Sequence, residues 1–515
     1  MVGGNPIPYG DLLPRARALA GLLAANAVAP GDRVALLSEN TPNWGVAYFA
    51  IASMGAVVVP ILTDFTTTQI GNIVAHAGCR AIVVSGRQGE KIADARAGRV
   101  IVRIEDFSVE GAGAAAAAGS FDFPPVSEDD LAAIIYTSGT TGHSKGVMLT
   151  HGNIVSNARA TRTILEIEPS DRLLSILPLA HTYECTLGLV AALMQGAFIS
   201  YLDKAPTAAA LVPALAAVRP TIMLSVPLVM EKICRSKVLP ELAKRRLYTV
   251  PFFRKLFNLL AGIKLRKLFG GRIRFFGIGG AALAPDVEAF LAEARFPYAI
   301  GYGLTETAPL VAGASPSRTH LRSTGPALEG VQIRIAGAAP GAATGAAEGE
   351  IQVRGPNVMR GYYGDPDRTA EAFTDDGWFR TGDLGSVDAR GRLFIRGRLK
   401  TMILGASGEN IYPEEIEALI NQSPYVGESL VYGEASGVTA LVLLKPEVLE
   451  PFLAMVQDGI AKAEASINGL LERIRREVNA QLASFSRVAR VELQRVSFEK
   501  TPTQKIKRFL YPRRD

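Results

Sequence analysis

The sequence predicts an α/β fold. We expect a large N-terminal domain of stacked α/β sheets with a β-rich subdomain, and a small α+β C-terminal domain joined to it by a hinge. Three observations carry this expectation. Helix-period and strand-like segments alternate up to residue 306, as in mostly parallel sheets with crossover helices. Glycine-rich turns follow several of the strands. The texture then changes twice, after about residue 323 and again after Arg398.

Taken in order, Asp11 to Asn26 is an amphipathic helix pattern and Arg33-Val-Ala-Leu-Leu-Ser38 a strand. Trp44 to Met54 reads as a helix and Ala56-Val-Val-Val-Pro60 as a strand; Thr68 to His76 is helical, and Ala81-Ile-Val-Val-Ser85 follows as a strand. Leu131 to Ile135 is a further strand, a glycine-rich loop follows, and Gly146-Val-Met-Leu-Thr150 is strand-like again. The same rhythm returns over 153–306. Between about 323 and 398, Val331-Gln-Ile-Arg-Ile335 and Glu350-Ile-Gln-Val-Arg354 are strands separated by Gly/Pro/Ala loops. This predicts a boundary at 398–400, with an N-terminal domain over 1–398 and a C-terminal domain over 399–515. In the latter, Glu414 to Asn421 and Ala461 to Phe485 read as helices, and Glu428 to Tyr432 and Val438 to Leu444 as strands.

Composition excludes several classes. The chain has 515 residues, 48% of them hydrophobic and 20% charged, so it can bury more than one core. Cys79, Cys185 and Cys234 lie far apart, which fits a reducing, cytoplasmic setting and no disulfide framework. The histidines show no close spacing of a zinc site. No signal peptide and no membrane-spanning run is read. Net charge is +6, but 231–276 holds 13 Lys/Arg against 2 Glu, so the basic character is local and no nucleic-acid partner is expected.

The segment Tyr136-Thr137-Ser138-Gly139-Thr140-Thr141-Gly142-His143-Ser144-Lys145-Gly146 has the make-up of a phosphate cradle. Glycines let backbone N–H groups point inward, hydroxyls add donors, and lysine adds charge. The lysine spacing and the strand that follows exclude a Walker A loop, which runs straight into a helix. Downstream, Phe276-Gly-Ile-Gly-Gly280 ends a strand in a glycine turn, and Ile300-Gly301-Tyr302-Gly303-Leu-Thr305-Glu306-Thr307 sets an aromatic ring between two glycines, open for stacking on a base. A lone carboxylate such as Glu306, together with phosphates, is a usual way to hold Mg²⁺.

The loop resembles the phosphate-binding signature of the adenylate-forming (AMP-binding) superfamily, except that Ser144 stands where proline is usual. The resemblance extends further. Gly301 to Thr307 resembles the adenine and magnesium motif. Gly377-Trp-Phe-Arg-Thr-Gly-Asp383-Leu resembles the motif whose aspartate binds the ribose hydroxyls. Gly397-Arg398-Leu-Lys400 resembles the ribose-contacting arginine followed by the hinge residue. Thr501-Pro-Thr-Gln-Lys505 resembles the segment with the catalytic lysine. Leu177-Pro-Leu-Ala-His181-Thr-Tyr-Glu184 is similar to the segment flanking the carboxylate pocket of fatty acyl-CoA synthetases, and Ser407-Gly408-Glu409-Asn410 to the turn that closes over the pantetheine tunnel of CoA ligases. The wording is nearest to bacterial long-chain fatty acid–CoA ligases. The family's usual strand–helix start falls at Tyr9-Gly-Asp-Leu, so the N-terminal segment is expected to be short or missing.

The resemblance implies an acid–thiol ligase that activates a fatty acid with ATP to acyl-AMP, releases pyrophosphate, and transfers the acyl group to CoA. It implies catalytic roles for Lys505, Glu306 and His181, with Glu306 on Mg²⁺. It implies ATP or AMP contacts from Thr137, Ser138, Gly139, Thr140, Thr141, Gly142, Lys145, Gly280, Gly301, Tyr302, Gly303, Thr305, Asp383 and Arg398. Lys400 becomes the hinge and Gly408 a CoA contact. Residues 231–276 interleave Arg/Lys with Leu, Phe and Tyr, which fits peripheral contact with an anionic membrane at the inner face, or else a solvated helix face with its apolar stripe in the core. Alternatives are an acyl-AMP ligase delivering to a carrier protein, a CoA ligase for an aromatic or other non-fatty acid, and a catalytically dead scaffold. The last would need losses at the lysines or Glu306, and none is seen.

Overall fold

The computed structural model describes residues 6–110, 121–137, 145–202, 204, 206–337, 348–404, 410–434, 437–454, 460–500 and 506–511. Residues of the first sheet are β1 (Arg33–Leu37), β2 (Val57–Pro60), β3 (Cys79–Val84), β4 (Val100–Arg103), β5 (Leu131–Thr137) and β6 (Lys145–Thr150). A second sheet holds β7 (Arg172–Ser175), β8 (Phe198–Tyr201), β9 (Ile222–Ser225), β10 (Phe275–Ile278), β11 (Tyr298–Gly303) and β12 (Leu310–Gly313). Then come β13 (Gln332–Ile335), β14 (Gly349–Arg354), β15 (Gly361–Tyr362), β16 (Phe379–Val387) and β17 (Leu393–Arg398).

The first sheet has the order β15-β6-β5-β2-β1-β3-β4, and the second β12-β11-β10-β9-β7-β8. Strands β5 to β4 in that order pair parallel, whereas β6 pairs antiparallel with both β5 and the edge strand β15, and β12 is an antiparallel edge of the second sheet. Alternation along β1 shows how the layers stack. Val34 and Leu36 join the large core shared with the second sheet, while Ala35 and Leu37 face a smaller core with Ile70, Ile73 and Val74. Both faces are covered, which is why these strands read as continuous apolar runs. Local chemistry agrees with the packing. Thr66 and Gln69, and Thr150 and Asn153, form reciprocal caps at the starts of the helices Thr67–His76 and His151–Ala160.

Strands β13, β14, β16 and β17 make the expected β-rich unit, an antiparallel four-stranded sheet. Beyond it, β18 (Ile403–Leu404) pairs with β19 (Asn410–Ile411), and β20 (Val426–Glu434), β21 (Gly437–Leu444) and β22 (Val488–Leu493) form a sheet. Its core of Ile416, Ile420, Val431, Val442, Ile474 and Val488 is separate from the two N-terminal cores. The fold is thus a large N-terminal domain followed by a smaller C-terminal one.

One helix ends earlier than its sequence pattern. The expected 461–485 helix spans Ile460–Asn479. Asn479 turns its side chain to the returning strand, donating to Val488 O at 2.9 Å and accepting from Val488 N at 2.8 Å, and so stops the helix although apolar residues continue. In the basic segment, Pro251–Leu268 is a helix. Its Gly262 lies so close to Ala294 that an added Cβ would sit 2.1 Å from the carbonyl oxygen. Among the described residues no helix is long and apolar enough to cross a membrane.

Candidate active site

In open parallel sheets, ligands bind outside the carboxyl ends of the strands. Most of the predicted site residues of the second sheet leave from that edge. His181 follows β7, Gly280 follows β10, and Thr305 and Glu306 follow β11. Thr137 and Lys145 close the cradle at the end of β5, where they stand opposite each other in the β5–β6 register. Ser138, Gly139, Thr140, Thr141 and Gly142 lie outside the described residues, as do Lys505 and Gly408. The Thr137 hydroxyl is buried at this loop mouth and has no hydrogen-bond partner among the described residues.

Glu306 sits in a tight turn, Thr305–Thr307, after β11. Thr307 holds the turn, its hydroxyl accepting from Leu304 N at 3.0 Å and donating to Pro309 O at 2.6 Å. Two buried asparagines, Asn157 and Asn357, donate to Leu310 O at 2.6 and 3.0 Å, and Asn357 also donates to Thr307 O at 2.9 Å. The carboxylate is thereby aimed at Lys145. Lys145 Nζ donates to Glu306 Oε1 at 2.9 Å and to the Tyr362 hydroxyl at 2.8 Å, and that hydroxyl donates to Glu306 Oε1 at 2.9 Å. Tyr362 arrives on β15, which pairs with β6 (Tyr362 opposite Val147).

Burial opposes ionisation of Glu306. The Lys145 charge and hydrogen bond, a backbone N–H and Tyr362 outweigh it, so the carboxyl is held below its ordinary range. At neutral pH Glu306 is therefore a carboxylate. No group of three or more His, Cys, Asp or Glu capable of holding a metal occurs among the described residues. The single ionised carboxylate of Glu306 fits a cation held together with phosphates and water, the manner of Mg²⁺.

A second cluster joins residues far apart in sequence. Tyr302 donates to Asp383 Oδ2 at 2.7 Å, and Arg398 Nε lies 3.0 Å from Asp383 Oδ1. Asp383 and Arg398 face each other across the β16–β17 pair. Asp383 is buried, whereas Arg398 is half exposed. The sequence pattern presents Tyr302 as an open ring between two glycines. In the structure the ring is buried and its hydroxyl tied down; burial and the Asp383 charge push its pKa well up. The glycines also permit the close approach of β12. A Cβ at Gly303 would meet Pro309 O at 1.9 Å, and one at Gly301 would meet Leu310 Cδ1 at 2.8 Å. Gly280 adopts φ +85°, the left-handed turn that lets the chain leave β10.

His181 is held at one remove. Buried Asn40 donates to Leu177 O at 2.6 Å and accepts from Leu179 N at 2.9 Å, pinning the segment before it. His181 Nδ1 accepts from Tyr183 N at 3.2 Å, which leaves the proton of the neutral ring on Nε2. A π-helix, Tyr183–Val190, follows. Lys400 lies exposed in the turn after β17, between the β-rich unit and the C-terminal domain. Sequence reasoning missed Tyr362, Asn157 and Asn357. Gly361-Tyr362-Tyr363-Gly364 was the available signal for the first; isolated asparagines give none.

Glu184, in the π-helix, was named in the sequence only as part of a motif. It is buried, Gly188 leaves room for its Oε1, and its Oε2 has no hydrogen-bond partner among the described residues. Burial, partly countered by a Ser175 hydrogen bond, pushes its pKa from an ordinary 4.5 up to about 8. Between those values the folded protein keeps a proton that the unfolded chain has released, so stability falls as pH rises through this window. Glu184→Gln should flatten that slope and gain a few kcal/mol at the alkaline end, at roughly 1.4 kcal/mol per pH unit. Urea unfolding of both proteins at several pH values checks this; equal slopes would refute it.

The two-domain α/β fold, with lysine and carboxylate joined at the carboxyl edge of its sheets, suits an enzyme that handles a nucleotide. The description "AMP-binding enzyme" matches residues 2–363, and the chain belongs to that family. It is an adenylate-forming CoA ligase, an enzyme that joins an acid to a thiol. It is 30% identical to the peroxisomal long chain acyl-CoA synthetase 7 of Arabidopsis thaliana, over 96% of this chain and 76% of that protein. It is 32% identical to a feruloyl-CoA synthase of Amycolatopsis sp, over 84% of this chain and 81% of the relative. Among solved structures it resembles ATP-bound MatB from Rhodopseudomonas palustris, with TM-score 0.77 and 28% identity over 99% of this chain and 93% of that one.

Proposed function

We propose that the chain activates a fatty acid with ATP and passes the acyl group to CoA, with the site residues in the following roles. The observation that carries the reading is the Lys145–Glu306–Tyr362 cluster at the mouth of the 137–145 loop. It sets one cation and one ionised carboxylate where a triphosphate held by that loop needs them. Attack of a carboxylate on the α-phosphate brings an anion against a polyanion, so charge repulsion is the barrier. Lys145 would neutralise outer phosphate oxygens, and Lys505 the carboxylate and α-phosphate, each in a site poor in water. Glu306, with Thr305 beside it, would hold Mg²⁺, which when bound offsets the charge of the phosphates. Asp383 accepts from the ribose hydroxyls while Arg398 and Tyr302 keep it oriented, and Gly280, Gly301 and Gly303 shape the wall against the base. His181 flanks the acid carboxylate.

We place the domain boundary at 398–400, with the β-rich subdomain over about 323–398. Lys400 acts as a hinge that exchanges Lys505 for the Gly408 turn between the two half-reactions. Peripheral contact with anionic membrane through 231–276 belongs to the same reading, since long-chain acids partition into bilayers. The long chain acyl-CoA synthetase likeness over 96% of the chain supports a fatty acid as substrate. The 32% identity to a feruloyl-CoA synthase favours, as a second reading, an aromatic acid. Pyrophosphate release over acids from acetate to oleate, with ferulate and cinnamate, with and without CoA, separates the two. Highest kcat/KM for a medium or long fatty acid is expected; highest kcat/KM for ferulate would replace the first reading by the second.

A further inference from the structure

The Pro251–Leu268 helix turns part of its apolar surface outward. Phe252, Leu256, Leu260 and Ile263 are 73%, 43%, 49% and 49% exposed. At about 100° per residue they fall within roughly 80° of one another, a single stripe. Asn258, Gly262 and Leu265 form the buried side of the same helix, packed toward Ala294. Exposed Leu247 and Val250 extend the apolar surface at the N-terminal end. Lys255 and Arg266 flank the stripe on one side and Lys264 on the other, while Lys267 closes its C-terminal end. The helix contains no Asp or Glu. Arg254, on the far side, is the member paired to an acid, Glu293 at 2.9 Å; Lys255, Lys264 and Lys267 have no acidic partner among the described residues.

Two occupants could cover such a face, and charge decides between them. A second copy of this chain would bring cations against cations. An anionic bilayer matches both halves of the pattern, phosphates against the lysines and acyl chains against the stripe. We propose that this helix lies in the plane of an anionic membrane and inserts Phe252, Leu256, Leu260 and Ile263 below the headgroups. The inference rests on the membrane reading of 231–276 and deepens it: the contact is an insertion with a named depth-bearing face, not charge adsorption alone.

The test is flotation of the full chain with phosphatidylcholine vesicles, with and without phosphatidylglycerol, at about 0.1 M and about 0.5 M KCl. It uses the wild type, the triple variant Leu256→Ser/Leu260→Ser/Ile263→Ser, and the triple variant Lys255→Gln/Lys264→Gln/Lys267→Gln. Activity on a short water-soluble acid, unchanged in both variants, shows that each is folded. Each variant should weaken binding to phosphatidylglycerol vesicles at least about tenfold, and part of the wild-type binding should survive high salt. Leu260→Trp should show tryptophan quenching by bromine-labelled acyl chains, a readout independent of the serine variant. Binding lost by the lysine variant yet kept by the serine variant, with no quenching, overturns insertion and leaves peripheral contact standing. No binding by the wild type overturns both. A wild-type dimer dissociated by the serine changes assigns the face to a second copy and also overturns the proposal.

Discussion

Glu306→Gln is expected to lower the rate of acyl-adenylate formation by about 10²–10³-fold, the scale seen when one preorganised charge-stabilising group is lost. The substitution keeps volume and hydrogen-bonding capacity, so the Asn157 and Asn357 contacts that hold the turn remain. What changes is charge. Lys145 Nζ, now 2.9 Å from an ionised oxygen, would face a neutral amide, and the metal-binding carboxylate of the proposed site would be gone. Because Glu306 is held below its ordinary pKa, its ionisation contributes stability at neutral pH. That contribution is lost as pH falls through the depressed folded value. The variant should therefore lose less stability than wild type on acidification below the ordinary carboxylate range. Rapid-quench measurement of acyl-AMP, paired with unfolding at neutral and acid pH, reads both effects. A variant with wild-type adenylation would remove Glu306 from the site.

Lys505→Ala is expected to act on one half-reaction only. Lys505 lies outside the described residues, but its neighbours Lys500 and Ile506 bridge to one another, and Lys500 is ion-paired to Glu428. The residues on either side of it are thus tied to the C-terminal domain. If Lys505 offsets repulsion between carboxylate and α-phosphate, its loss should cost about 10² or more in adenylation. Thiol attack on supplied acyl-AMP has no such repulsion and should proceed close to the wild-type rate. The pair of single-turnover rates decides the matter, since equal losses in both would show that Lys505 does not serve adenylation specifically.

The molecule also shows which parts of such a fold a sequence can reveal. The first sheet was legible because its strands are buried on both faces and so read as apolar runs between helix-period segments. The cradle was legible because its chemistry is concentrated in one short stretch. Tyr302 and Asp383 could each be named, but their hydrogen bond depends on how β11 approaches the β16–β17 pair, which no local pattern encodes. Tyr362 escaped for the same reason, reaching Glu306 only through the edge pairing of β15 with β6. The helix over 251–268 shows a different limit. Its apolar residues have a helical period whether they face the core or the solvent, and Gly262 against Ala294 decides which side is buried. Glu184 likewise reads as an ordinary carboxylate until its burial is known.

The central claim is that the acid is activated as an adenylate before the thiol attacks. It is tested most directly with acid labelled with ¹⁸O in both carboxylate oxygens. After turnover with ATP and CoA, the account predicts one ¹⁸O in the phosphate of AMP, with unlabelled pyrophosphate as the other product. Label in orthophosphate together with ADP would instead indicate an acyl phosphate and contradict the account.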